Sequence, residues 1–274
     1  MILETLLVFV GIIAIAFVFA PLGLGGGMLF VPLLHYGLGW EIDGFLFAVS
    51  LSLTGVVSWG SGLTHRSEHL VDDEVLKKGL QGAIPGAIFG VGIVLALGDG
   101  LETAFKLLSI AMIVWAVYKT VQSERKMSEH SRQDDDILHP GIQLPHLQIG
   151  TGLGGMLSSV LAIGAGVIYV PVLRTFGDLE PRKAIGTSLN VMMAVVPVAI
   201  VTHLIVLPSA MWDQFIAEFL LVLIFMAATL VGSRYGAKYG IKNLDERSIM
   251  MVFTGIMVVI GIRYLFDVTS LVLS

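Results

Sequence analysis

Residues 23–34 read "GLGGGMLFVPLL", an apolar stretch that carries three consecutive glycines, Gly25, Gly26 and Gly27. Each glycine weakens a helix by about 1 kcal/mol relative to alanine, so a helix entering this stretch is expected to stop there. The same pattern returns in the second half. "GGGMLFVPLL" (25–34) aligns without gaps on "GAGVIYVPVL" (164–173), pairing Pro32 with Pro171, and "AVSLSL" (48–53) aligns on "AIGTSL" (184–189). Two matches in the same order indicate an internal duplication.

Composition sets the medium in which this break must exist. Only 14% of the 274 residues are charged while 55% are hydrophobic, and the mean hydropathy is +0.88. A soluble chain is about a quarter charged, so an integral membrane protein is expected. The apolar run at 2–20 has no preceding Lys or Arg, unlike a secretory signal, and is read as retained. Cysteine is absent, which excludes disulfides, thiolate metal sites and cysteine nucleophiles. The net charge of −5 offers no basic surface to nucleic acid.

Further spans are expected near 42–63, 79–97 and 103–121, and near 184–206, 215–233 and 247–266. The charged stretch "HRSEHLVDDEVLKK" (65–78) connects two of them, and the one long polar segment is 122–146. Its composition reads as a solvated linker. The expected organisation is therefore a first transmembrane repeat at 1–121, a polar linker at 122–146 and a second repeat at 147–274.

Lys and Arg mark cytoplasmic loops. They cluster at 66–78, 119–132, 174–183 and 234–247, and are missing from 36–41, 98–103 and 207–214. With the clusters inside, segment 147–178 begins and ends in the cytoplasm, and its counterpart 1–40 begins and ends outside. A straight helix of 30 residues exceeds a hydrocarbon core of about 30 Å, so each segment is expected to fold back on itself. Each half becomes a broken, folded-back helical hairpin plus three transmembrane helices. An odd number of crossings per half makes the two repeats inverted in topology, with the linker cytoplasmic and both termini external. An ordinary eight-span arrangement with parallel halves is the alternative.

Inverted repeats with broken helices occur in secondary transporters, where the unwound backbone forms a substrate site near the midplane. A break exposes N–H groups, and a following helix N-terminus adds positive dipole character, a combination suited to a small anion. The expected substrate-binding residues are Gly25, Gly26, Gly27, Gly164, Ala165 and Gly166, with Pro32 and Pro171 marking the structural break. Small polar residues open the next span: Ser50, Ser52 and Thr54 in one half, Thr187, Ser188 and Asn190 in the other. Of these, Ser52, Thr187, Ser188 and Asn190 are taken as side-chain donors. The competing reading is helix packing for the glycines and backbone bonding within the helix for the hydroxyls. Packing is favoured for "GAIPGAIFG" (82–90). Among His35, His65, His203, Glu218 and Arg174, all near span ends, His203 and Glu218 are kept as candidates for proton coupling.

Two motifs carry other chemistries. "HRSEH" (65–69) matches the H-x-x-E-H zinc-protease pattern through His65, Glu68 and His69, but it runs into a charged loop without an evident third ligand. "GTGLGG" (150–155) satisfies G-x-G-x-x-G, yet no strand precedes it as a dinucleotide site requires. Neither is adopted: no catalytic residue, metal or cofactor is expected.

The glycine breaks followed by V-P-[LV]-L, together with "RKAIGTSLN" (182–190), resemble the TauE/SafE family, the sulfite exporters. The resemblance spans residues 10 to 266. In the first half "FAVSLSL" stands for the more usual A-x-x-T-S-L, so Leu51 occupies the position of Thr187, and Ala165 that of a glycine. The resemblance implies a bacterial or archaeal inner-membrane permease for sulfite or a small organosulfur or organic acid anion. It implies a secondary transporter driven by an ion gradient, with a coupling proton or sodium ion as partner. An uncoupled anion channel or accessory membrane component is the alternative function.

Overall fold

The computed structural model describes residues 2–22, 26–129, 141–243 and 246–273. Gly25 and residues 130–140 of the linker lie outside the described residues. Eleven α-helices and no strand are found among the described residues. In the first half these are α1 (Ile2–Phe19), α2 (Gly27–Leu38), α3 (Gly44–Ser67), α4 (Asp73–Leu97) and α5 (Leu101–Glu129). In the second they are α6 (Leu144–Val160), α7 (Gly166–Phe176), α8 (Pro181–Ile205), α9 (Ser209–Ala217), α10 (Phe219–Asn243) and α11 (Glu246–Leu273).

Helix ends follow local chemistry. Asp43 caps α3 by accepting the Leu46 N–H at 3.0 Å, and Asp72 caps α4 by accepting those of Glu74 and Val75 at 3.1 and 2.9 Å. Such caps contribute about 1 kcal/mol each. The charged stretch 65–78 is thus mostly helix, with only 68–72 left as a turn. Similarly, α5 continues to Glu129, eight residues beyond the expected span and into the segment read as linker. The short α9 occupies the expected loop before α10.

Among the described residues, length and hydropathy bear out the apolar run at 2–20 and the spans expected near 42–63, 79–97, 184–206 and 215–233, but not those expected near 103–121 and 247–266, where α5 and α11 lie. Among the described residues, Leu3–Leu22, Gly44–Ser67, Asp73–Leu97, Pro181–Ile205 and Phe219–Gly240 are long and apolar enough to cross a membrane. The 12-residue α2 and 11-residue α7 are not. At 1.5 Å per residue each reaches only about 18 Å, roughly halfway through a bilayer core.

The packing follows one pattern in both halves. Helix α1 packs on α2 and on α10, as α6 packs on α7 and on α4; α3 packs on α10, as α8 packs on α4. Helices α3 and α8 meet each other at the centre, and α5 meets α11. In α3 and α8, 78% and 67% of the most apolar window is buried, against 28% to 39% in α1, α4 and α10. The central pair therefore faces protein, and the outer helices leave most of their apolar surface uncovered by protein.

The glycines at 82–90 do pack helices. A methyl group on Gly82 or Gly86 would strike the carbonyls of Gln148 or Gly152 on α6, and one on Gly155 that of Ala83. Backbone lies against backbone, as small residues at four-residue spacing allow. The "GTGLGG" stretch lies wholly within α6, and a methyl on Gly154 would strike the Tyr169 ring of α7.

Candidate functional site

The two breaks fall at matched positions. Before α2, Gly26 has φ 70° and ψ −6°; before α7, Ala165 has φ 52° and ψ 19°. The alignment pairs these two residues. An alanine in the left-handed region costs about 1–2 kcal/mol, and the backbone nevertheless keeps the same shape at both places. Pro32 and Pro171 lie inside α2 and α7, each six residues after that left-handed residue (32 − 26 and 171 − 165). The prolines therefore do not form the bends. They sit where each short helix loses one internal hydrogen bond.

The breaks also meet. A methyl group on Gly27 would lie 2.7 Å from the Ile163 Cα, 3.0 Å from the Gly164 nitrogen and 2.7 Å from the Thr54 Oγ1. One on Gly164 would lie 2.9 Å from the Thr54 Cγ2 and strike the Met192 methyl. Thr54 on α3 is thus wedged between the two breaks. It is fully buried, and its hydroxyl has no hydrogen-bond partner among the described residues.

Neighbouring hydroxyls hold the second break in place. Ser50 donates to the Ala162 carbonyl at 3.0 Å, and Ser158 donates to that of Ile163. Ser159, in the last turn of α6, has a buried hydroxyl without a partner among the described residues. The first N–H groups of α7 have no acceptor within their own helix, and Gly166 at its start is buried.

The expected side-chain donors are distributed differently. Ser52 is half-buried and donates back to the Ala48 carbonyl at 2.7 Å. Thr187 accepts the Asp72 N–H at 3.0 Å. Asn190 accepts from the Arg66 Nη1 at 3.1 Å and donates to the Gly186 and Gly62 carbonyls at 2.9 and 3.4 Å. Thr187 and Asn190 thereby tie α8 to the end of α3 and the α3–α4 turn. Ser188 is buried with its Oγ 4.0 Å from the Met192 sulfur, and Met192 in turn faces Gly164.

The ionisable candidates separate likewise. His203 is 2% exposed, and its Nε2 lies 3.1 Å from the Ser159 carbonyl beside the second break. Glu218 sits at the α9–α10 corner, where its N–H donates to the Gln214 carbonyl at 2.9 Å. His65 is buried beside Ser61, whose hydroxyl donates to the Ala20 carbonyl at the end of α1. Helix α3 ends at Ser67, and His69 has φ 58°. The H-x-x-E-H motif is therefore cut by a helix end, so its two histidines do not lie one turn apart on a single helix.

Two buried residues lie outside the set expected from sequence. Thr54 belongs to the same small polar group as Ser52, but two positions on a helix differ by about 200° and sequence does not say which faces the break. Lys106, within the expected 103–121 span, is 3% exposed. A lysine near the start of an apolar run, distant from the basic cluster at 119–132, is the signal the sequence offers.

Half-length helices starting at two touching breaks, packed among long apolar helices, mark the chain as an integral membrane protein. The family model for the sulfite exporter TauE/SafE matches residues 7–264, and the chain belongs to that family. Membership implies a membrane transporter that exports sulfite or another anion. No match was found among curated proteins or among solved structures.

Proposed function

We propose that the protein is a secondary transporter that moves a small anion, sulfite or a small organosulfur or organic acid anion, by alternating access. The anion is held where the two breaks meet, by N–H groups at the starts of α2 and α7 and by the Thr54 hydroxyl. The observation that carries this reading is the contact of Gly27 with Ile163 and Gly164 beside an unpartnered buried hydroxyl. A buried hydroxyl left unpaired costs about 1–3 kcal/mol, a cost that a bound oxyanion removes. A helix N-terminus favours negative charge, so a site at the starts of α2 and α7 needs no lysine or arginine of its own.

In this reading the repeats 1–121 and 147–274 are inverted, joined by the cytoplasmic linker 122–146, with both termini external in a bacterial or archaeal inner membrane. Ser188 acts through Met192 and Gly164. Thr187, Asn190 and Ser52 shape α8 and α3, so their effect on the anion is indirect. His203, hydrogen-bonded to the turn that enters the second break, is the group placed to link a proton to the site.

The test is flux of sulfite into proteoliposomes under an imposed ion gradient. Saturable, gradient-dependent uptake that Gly26→Val abolishes is expected, since φ 70° excludes a β-branched residue and the added Cβ would lie 2.9 Å from the Ile15 Cγ2. Flux unaffected by Gly26→Val removes the site assignment. Non-saturating flux insensitive to a coupling gradient returns the uncoupled channel.

A further inference from the structure

A second group of polar side chains lies between α2, α5 and α11. Lys106 on α5 is 3% exposed and donates to the Glu102 Oε1 at 2.7 Å and the Asp267 Oδ2 at 3.1 Å. Asp267 on α11 also accepts from the Tyr36 hydroxyl of α2 at 2.7 Å and lies 3.7 Å from the Arg263 Nε. The Arg263 guanidinium rests 5.3 Å over the Tyr36 ring, which also neighbours the His35 ring at 4.6 Å and the Tyr264 ring at 6.0 Å. Two cations and two carboxylates balance within this group.

One turn further along each helix the polar side chains line a narrow crevice. Ser109 follows Lys106 by three positions and Tyr264 precedes Asp267 by three, which places each pair on one helix face. Both line the crevice, together with Met28 and Val31 of α2 and Leu161 and Ile163 of the second break. Tyr264 is 2% exposed, and its hydroxyl has no hydrogen-bond partner among the described residues. The crevice thus joins the second break to Phe105, Ser109 and Tyr264, which neighbour Lys106 and Asp267 along α5 and α11.

We propose that this crevice is a second station for the transported anion, with Lys106 as its cation, Tyr264 and Ser109 as hydroxyl donors, and Asp267 as an internal substitute for the anion. The inference rests on the transport reading above. Two features carry it. An ion pair that merely joins α5 to α11 accounts for Lys106 and Asp267 but leaves the Tyr264 hydroxyl unexplained. The donors that hold the Asp267 carboxylate, an ammonium and a phenol, are those a small oxyanion takes. An arriving oxyanion therefore competes with Asp267 for Lys106, and the exchange opens the ionic group beside the crevice.

The experiment uses the full chain in proteoliposomes with sodium sulfite as probe, measuring flux against concentration. Lys106→Met is expected to raise KM by about tenfold or more, and Tyr264→Phe by about threefold, as loss of charged and neutral hydrogen bonds requires. Asp267→Asn removes the competitor while leaving Glu102 on Lys106, and lowers KM. Because Lys106→Met strands two carboxylates, the charge-balanced Lys106→Met/Asp267→Asn pair is measured as well, and is expected to keep the raised KM. Saturable wild-type flux with KM within twofold in Tyr264→Phe and the double variant overturns the second station and leaves the transport reading intact. A wild-type protein that carries no sulfite under any gradient overturns the transport reading first, and the station with it.

Discussion

Substituting Gly27 by alanine tests whether the breaks support each other. The new methyl would sit 2.7 Å from the Ile163 Cα and 3.0 Å from the Gly164 nitrogen, well inside the 3.5–4.0 Å of a carbon contact. Both obstacles are backbone, so no side-chain rotation relieves them, and α2 must withdraw from the second break. Overpacking of this kind costs about 1–3 kcal/mol. Where the withdrawal falls on the anion-binding arrangement, the same energy equals a loss of about 5- to 150-fold in transport efficiency. Gly92→Ala is the matched control: it lies mid-helix in α4 with nothing within 4 Å of the added methyl. Alanine there adds up to about 1 kcal/mol of helix stability. The assays are thermal unfolding in detergent and sulfite flux in proteoliposomes. Gly27→Ala should unfold several degrees below Gly92→Ala and lose at least about fivefold in flux. Equal unfolding temperatures and unchanged flux would refute the contact between the breaks and the site built on it.

Thr54→Val keeps the shape of the side chain and removes a hydroxyl that bonds to nothing among the described residues. Unfolding temperature should hold or rise, while KM for the anion should increase about three- to tenfold; an unchanged KM removes Thr54 from the site. Asn190→Leu breaks three hydrogen bonds that tie α8 to α3 and its own preceding turn, and should cost about 1–3 kcal/mol in thermal unfolding with little change in KM. A cysteine at Asp178, in a chain with no other cysteine, should be labelled by an impermeant maleimide from the cytoplasmic side alone. Labelling from outside restores the parallel arrangement of the halves. Asp43, the half-buried cap of α3, has its carboxyl pushed above the usual carboxylate range by burial, against the lowering effect of the Leu46 N–H. A raised folded value means that its stabilising contribution is complete at low pH and is lost as pH rises through it. Asp43→Asn preserves the cap, so its unfolding temperature should exceed wild type at neutral pH and the difference should shrink on acidification to pH ~4.

What the amino-acid sequence determined by itself was the medium, the presence of several long apolar helices and the position of both breaks. Each of these depends on properties summed along a short stretch: hydropathy over one helix length, or the weakness of a helix at Gly26 and Gly27. The repeat sharpened the second break, because Ala165 aligned with Gly26 and adopted the same left-handed backbone. Helix ends were less visible: charged residues at 65–78 signalled a loop, whereas Asp72 and its neighbours cap and extend helices. Tertiary structure alone decided which side chains face the site. Thr54 rather than Ser52 reaches the breaks because of how α3 is rotated against α8, and rotation about a helix axis is set by packing on distant elements. The same holds for Lys106, whose carboxylate partner Asp267 lies 161 residues away. Energies of local runs are additive along the chain and can be read from it, but a contact between remote residues exists only once the helices have been brought together.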